Sequence, residues 1–209
     1  MSMDLRDYST EVIVEQCVHP WTEASWSPDG SRIAFTGSCE EGNDRPAIYM
    51  TAGNGTGVRR IGSVLDFVPT GPPSWASSGR NVALSIGESL GSSTIVVVDT
   101  GTGATTTVGR GYAPSWAPTG ERIAYLQVGS GEDMVSSIRV MHSDGGGDVE
   151  LVPPAMSEDA SAEELFDLLP RPPLVWSRDG SRVAFGRGQG VWMVDVASLA
   201  LEEVVLLER

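Results

Sequence analysis

Lysine is missing from this chain. All 14 basic residues are arginine, and 28 acidic residues bring the net charge to −14. Chemistry that needs an amine is therefore excluded: a Schiff-base lysine, a phosphate-loop lysine, or lysine modification. Nucleic acid is excluded as a partner, because binding it requires basic residues that neutralise phosphates. Cysteine is nearly absent, with Cys17 and Cys39 alone. Two cysteines make no disulfide framework and allow one bridge at most. The polar start, Met1 to Thr10, lacks a signal-peptide core, so nothing points to an oxidising compartment and free thiols are expected. Such a start predicts a cytoplasmic protein if the chain is complete, and a periplasmic or secreted one if a leader was removed. No apolar run approaches the roughly 18 residues that span a bilayer, so no membrane insertion is expected.

What is present is a repeat. Ser25-Trp26-Ser27-Pro28-Asp29-Gly30-Ser31-Arg32-Ile33-Ala34-Phe35 returns in altered form around Trp75, Trp116 and Trp176. In each copy Gly stands four residues after the Trp (Gly30, Gly79, Gly120 and Gly180). Ile or Val, then Ala, then a large apolar residue follow it. A period near 40 residues with several strands per unit is the mark of a β-propeller.

Each unit holds material for four strands. The first ends at the Trp, and a tight turn closed by Gly leads to the second. The third strands are 47–50, 94–99, 137–141 and 190–195, rich in β-branched residues. The fourth are 58–61, 104–108, 149–152 and 201–207. The expected fold is all-β: a closed four-bladed propeller of antiparallel four-stranded sheets. Its blades lie near 20–63, 70–108, 112–152 and 172–209, and an N-terminal strand at 11–18 locks the ring. The four Trp residues are expected to be core between neighbouring blades, with the small Ala letting sheets approach face to face. Residues 153–173 are an insertion. Within it, Ser161 and Glu164 fit a capping box, Leu165, Phe166 and Leu169 give an apolar side, and Pro170 ends a predicted helix at 161–169.

The quoted units, above all 26–35 and 176–185, resemble the WD40-like Pro-Asp (PD40) repeats of the TolB β-propeller family. The resemblance runs from about residue 20 to the end. It implies a propeller with the protein-binding habits of that family. TolB itself has six blades and a separate N-terminal domain, and this chain has four repeats and no such domain. The same repeats look like the propeller that covers the catalytic domain of prolyl-oligopeptidase-type enzymes, a domain also missing here.

Three motifs carry possible chemistry. Gly87-Glu88-Ser89-Leu90-Gly91 matches G-x-S-x-G, but a nucleophile elbow needs a helix after it, and here a strand pattern follows. Cys17, His19 and Cys39 offer three zinc ligands at an unusual spacing without an evident fourth. Asp144-Gly-Gly-Gly-Asp148 places two carboxylates on a turn that calcium could use, although it lacks the alternating acids of a calcium loop. The plain readings are a hairpin loop, strand residues and a turn, and no cofactor is expected.

The acids sort by loop. Second-to-third-strand loops and blade connections carry Glu40, Glu41, Asp44, Glu132, Asp133, Glu158, Asp159, Glu163, Glu164 and Asp167. The opposite face mixes Asp29, Asp99, Asp144, Asp148 and Asp179 with Arg32, Arg80, Arg122 and Arg182. A neutral or cationic protein or peptide fits the more negative face, and a solvated acidic surface is the plain alternative. The expected function is a non-enzymatic binding module or scaffold for a protein, peptide or small ligand that uses this face and the central channel. The alternatives are an accessory domain of a larger peptidase or envelope protein, and a lyase or hydrolase with channel carboxylates.

Overall fold

Each repeat is organised by the turn that follows its Trp. In the first, the Gly30 N–H donates to the Ser27 carbonyl at 2.9 Å, and Gly30 sits at φ +68°. Gly79, Gly120 and Gly180 repeat both features, at φ +65°, +82° and +70°. Positive φ costs an L-residue a Cβ clash, hence glycine. A type I turn followed by a left-handed residue reverses the chain with the twist that a hairpin needs. Asp29 braces the first turn: its carboxylate accepts the Ser27 hydroxyl at 2.6 Å and the Ser31 N–H at 3.1 Å. Asp179 does the same with Ser177 and Ser181.

The computed structural model describes residues 2–3, 10–11, 23–39, 46–64, 71–87, 89–128, 136–154 and 170–206. A short pair, β1 (Ser2–Met3) with β2 (Thr10–Glu11), precedes four antiparallel sheets. Blade one is β3 (Ala24–Trp26), β4 (Arg32–Gly37), β5 (Ala47–Ala52) and β6 (Arg59–Val64). Blade two is β7 (Ser74–Trp75), β8 (Asn81–Ile86), β9 (Thr94–Asp99) and β10 (Thr105–Arg110). Blade three is β11 (Tyr112–Trp116), β12 (Arg122–Val128), β13 (Ser136–His142) and β14 (Val149–Val152). Blade four is β15 (Pro170–Trp176), β16 (Arg182–Arg187), β17 (Gly190–Asp195) and β18 (Leu201–Leu206). Each sheet pairs in simple meander order. First strands of neighbouring blades approach one another, β3 to β7, β7 to β11 and β11 to β15, so they line the axis.

Alternation within strands supplies both faces of each sheet. Val82 and Leu84 pack toward blade one, and Ala83 between them packs toward blade three. Ile123 and Tyr125 pack toward blade two, with Ala124 and Leu126 toward blade four. The buried residues thus form one cluster per junction: one–two, two–three and three–four. Ala34, Ala83 and Ala124 are fully buried in these junctions, in the role expected for the repeat alanine.

Three expectations change. The fourth junction that a closed ring requires is not formed among the described residues, where no core cluster joins blade four to blade one. Trp75, Trp116 and Trp176 are buried between blades, but Trp26 is 52% exposed. Its sequence context matches theirs. Among the described residues no preceding blade covers it. Residues 12–18, expected to lock the ring, lie outside the described residues, as does the helix expected at 161–169. The expectation of free thiols also fails: Cys39 is disulfide-bonded. It therefore cannot serve as a zinc thiolate. Cys17, the only other cysteine, lies outside the described residues.

Candidate functional site

The register shows which loops share an end of the propeller. Gly37 pairs with Ala47, Ile86 with Thr94, and Val128 with Ser136, so the second-to-third-strand loops leave from one end. β14 finishes at Val152 opposite Ile138, and β15 begins at Pro170 opposite Arg187, again at that end. The strand ends bracketing 40–45, 129–135 and 155–169 therefore stand around one rim. Glu40, Glu41, Asp44, Glu132, Asp133, Glu158, Asp159, Glu163, Glu164 and Asp167 themselves lie outside the described residues.

At the centre of that rim three blades converge. A Cβ placed on Gly71 would lie 3.9 Å from Glu23 Oε2, 4.0 Å from Ser85 Oγ and 4.0 Å from Ala113 Cα. Gly71 (φ +121°) enters blade two, and Glu23 stands just before β3 of blade one. Ser85 is on β8, and Ala113 is held at φ +51° on β11. A Cβ at Gly71 would meet all three at ordinary van der Waals distance, and the positive φ is what favours glycine there. Glu23 is fastened through its backbone: Thr36 N–H donates to its carbonyl at 3.1 Å. Glu23 is exposed, and the desolvation it does suffer raises its carboxyl pKa above the usual range. A carboxylate at this position attracts a cationic group.

Beside it, the Tyr112 hydroxyl lies 3.3 Å from Ser136 Oγ at the same end of blade three. Burial raises the Tyr112 pKa, so the phenol stays neutral and acts as a hydrogen-bonding group. Sequence reasoning assigned no role to Glu23. The available signal was an acid three residues before the first repeat Trp, Trp26, where an inner strand begins.

The other candidates take structural places. Ser89 is exposed, with its Oγ 3.1 Å from Ser92 Oγ, and a short 3-10 turn (Leu90–Ser92) then leads into β9. His142 is at the opposite end of its sheet, paired with Arg122 beside the Gly120 turn. The Asp144 carboxylate accepts Gly146 N–H at 2.9 Å. Asp148 accepts the Tyr125 hydroxyl at 2.7 Å and pairs with Arg139 at 3.0 Å. These partners divide the two aspartates between different contacts. Among the described residues no group of three or more His, Cys, Asp or Glu is placed to hold a metal. Nor is any described helix long and apolar enough to cross a membrane.

No family model matches the chain, and no curated protein matches it. Solved structures do. TolB from Acinetobacter baumannii is similar, with a TM-score of 0.65 at 20% identity over 95% of this chain and 46% of that one. An oligogalacturonate lyase from Vibrio parahaemolyticus gives 0.63 at 15% identity, over 94% of this chain and 54% of that one. A prolyl endopeptidase gives 0.61 at 14% identity, over 90% of this chain and 30% of that one. The fold is a TolB-like β-propeller, and the chain spans about half or less of the length of each of these structures.

Proposed function

We propose that this propeller is a non-enzymatic binding module for a neutral or cationic protein or peptide, held at the channel mouth and the acidic loops around it. The observation that carries the reading is the place of the Glu23 carboxylate where three blades converge. It sits at the end where the acid-bearing loops begin and finish. A cationic side chain entering the mouth meets the Glu23 carboxylate and is attracted there by the net charge of −14. The repeats act as PD40-type units in a scaffold whose loops carry the specificity. A polyanionic sugar acid, the substrate class in the name of the similar lyase, would be repelled by the same charge.

The second reading is an accessory propeller of a larger protein. Its support is the partial coverage of the similar chains, together with the uncovered side of blade four.

Titration of an arginine-rich peptide, followed calorimetrically, tests the binding reading. Saturable binding that weakens as salt rises is expected. Glu23→Gln should weaken it about fivefold or more, and deletion of 155–168 should weaken it while leaving the thermal transition in place. Equal affinity in wild type and both variants would remove the mouth and the insertion from the site.

A further inference from the structure

Two of the three blade junctions use one set of contacts. Trp75 Nε1 donates to the Ser25 carbonyl at 3.1 Å, and Trp176 Nε1 to the Ser115 carbonyl at 2.9 Å. In each case the acceptor is the residue before the preceding blade's Trp. An arginine of that preceding blade then covers the indole: Arg32 over Trp75 at 5.2 Å, Arg122 over Trp176 at 5.7 Å. The same arginines donate to the next turn's glycine carbonyl, Arg32 to Gly79 at 2.8 Å and Arg122 to Gly180 at 3.1 Å.

Blade four carries the first half of this contact, and no described residue completes it. Arg182 is oriented by Met193, its Nη1 3.8 Å from the sulfur, as Arg32 is by Met50 at the same distance. Met50 is buried under blade two, but Arg182 is exposed and Met193 only half-buried. Val175, at the position of Ser25, is 55% exposed. Blade one carries the second half: the Trp26 ring rests beside Gly53 of its own blade yet is 52% exposed, and Gly30 has no atom within 4 Å of where a Cβ would be.

We infer that blade four docks the Trp26 corner of a second copy of this chain, head to tail. The Trp26 indole lies under Arg182 of the other copy and donates to its Val175 carbonyl. Arg182 in turn reaches the Gly30 carbonyl. The occupant follows from continuity with the junctions already built, because both halves of the missing one are exposed on the same molecule. Phe35 and Tyr49, further along the Trp26 side, are already buried, so the contact is confined to the corner and the association is weak. A head-to-tail join is heterologous and leaves a free end on each side.

The mutual repulsion of two chains of charge −14 makes this association strengthen with salt. Cationic-peptide binding at the mouth does the opposite, so the two proposals fail separately. Sedimentation velocity from low micromolar to millimolar concentration, at raised salt, is the test. Wild type is expected to associate with concentration. Trp26→Ala and Arg182→Ala alter exposed side chains, should melt as wild type, and should each weaken association about tenfold or more. An equal mixture of the two variants retains one sound tail and one sound head, so it should recover a dimer and stop there. Val175→Asp is the second tail variant and should behave as Arg182→Ala. A wild type that stays monomeric throughout, a Trp26→Ala protein that still associates, or a mixture that fails to pair would each overturn the inference.

Discussion

The Arg32 guanidinium lies 5.2 Å from the centre of the Trp75 ring and crosses from blade one to blade two to reach the Gly79 carbonyl. Cation–π attraction and a charge-assisted hydrogen bond thus act through one side chain at one junction. Arg182 occupies the same place in its own repeat and covers no ring among the described residues. Arg32→Ala should therefore cost about 1–2 kcal/mol, a fall of roughly 3–6 °C in melting temperature. Arg182→Ala in the dilute monomer should leave the transition within about 1 °C. Equal losses for the two would show that the junction geometry does not set the cost. Calorimetry on both variants decides it.

Glycine substitutions should separate backbone strain from crowding. Gly30→Ala meets only the strain of φ +68°, with no atom within 4 Å of the new Cβ, and should cost about 1 kcal/mol. Gly79→Ala meets the same strain at φ +65°, and its Cβ would stand 2.8 Å from Arg32 Nη2. Displacing Arg32 uncovers Trp75, so Gly79→Ala should cost roughly twice as much. Urea denaturation that ranks the two equally would refute the coupling.

Acid stability should report the two turn aspartates. Hydrogen bonds from Ser27 and Ser31 pull the Asp29 pKa down to about 2, and those from Ser177 and Ser181 do the same for Asp179. Both folded values lie below the usual aspartate value of about 3.9. Their contribution is therefore complete above about pH 4 and is lost as pH falls toward 2. The double variant Asp29→Asn, Asp179→Asn should show a flatter decline of melting temperature between pH 4 and pH 2 than wild type. Parallel profiles would place the acid sensitivity elsewhere.

Ser89 should be inert as a nucleophile. It stands in an exposed loop with Ser92 as its side-chain partner, and His142 is at the far end of a different sheet. Ser89→Ala should leave any hydrolysis of p-nitrophenyl acetate unchanged. A drop beyond about tenfold would make Ser89 catalytic.

The strands and turns were legible because their causes are local. Thr94–Asp99, Val149–Val152 and Gly190–Asp195 form where their runs of β-branched and apolar residues place them. The Gly turns close where the spacing after each Trp puts them. Cys39 was misread because the bridge depends on what approaches it in space, which spacing does not encode. Much of the acidic rim lies outside the described residues, and what the structure adds there is the placement of the strand ends that carry it.

Local sequence, by itself, determined the repeat: a Trp, a turn with glycine in the left-handed region, and an alternating strand are set within about ten residues. Tertiary structure decided which copies of that repeat are covered. Trp26 and Trp176 sit in nearly the same string of residues, yet one is half exposed and the other buried. The difference lies in whether a preceding blade supplies an arginine and a carbonyl from some 50–60 residues away, as Arg122 and Ser115 do for Trp176. The Glu23 carboxyl follows the same logic. Its raised pKa comes from desolvation, and it stands beside Gly71, around which Ser85 and Ala113 of other blades also gather. Burial and desolvation are properties of neighbours in space, and no local pattern specifies them.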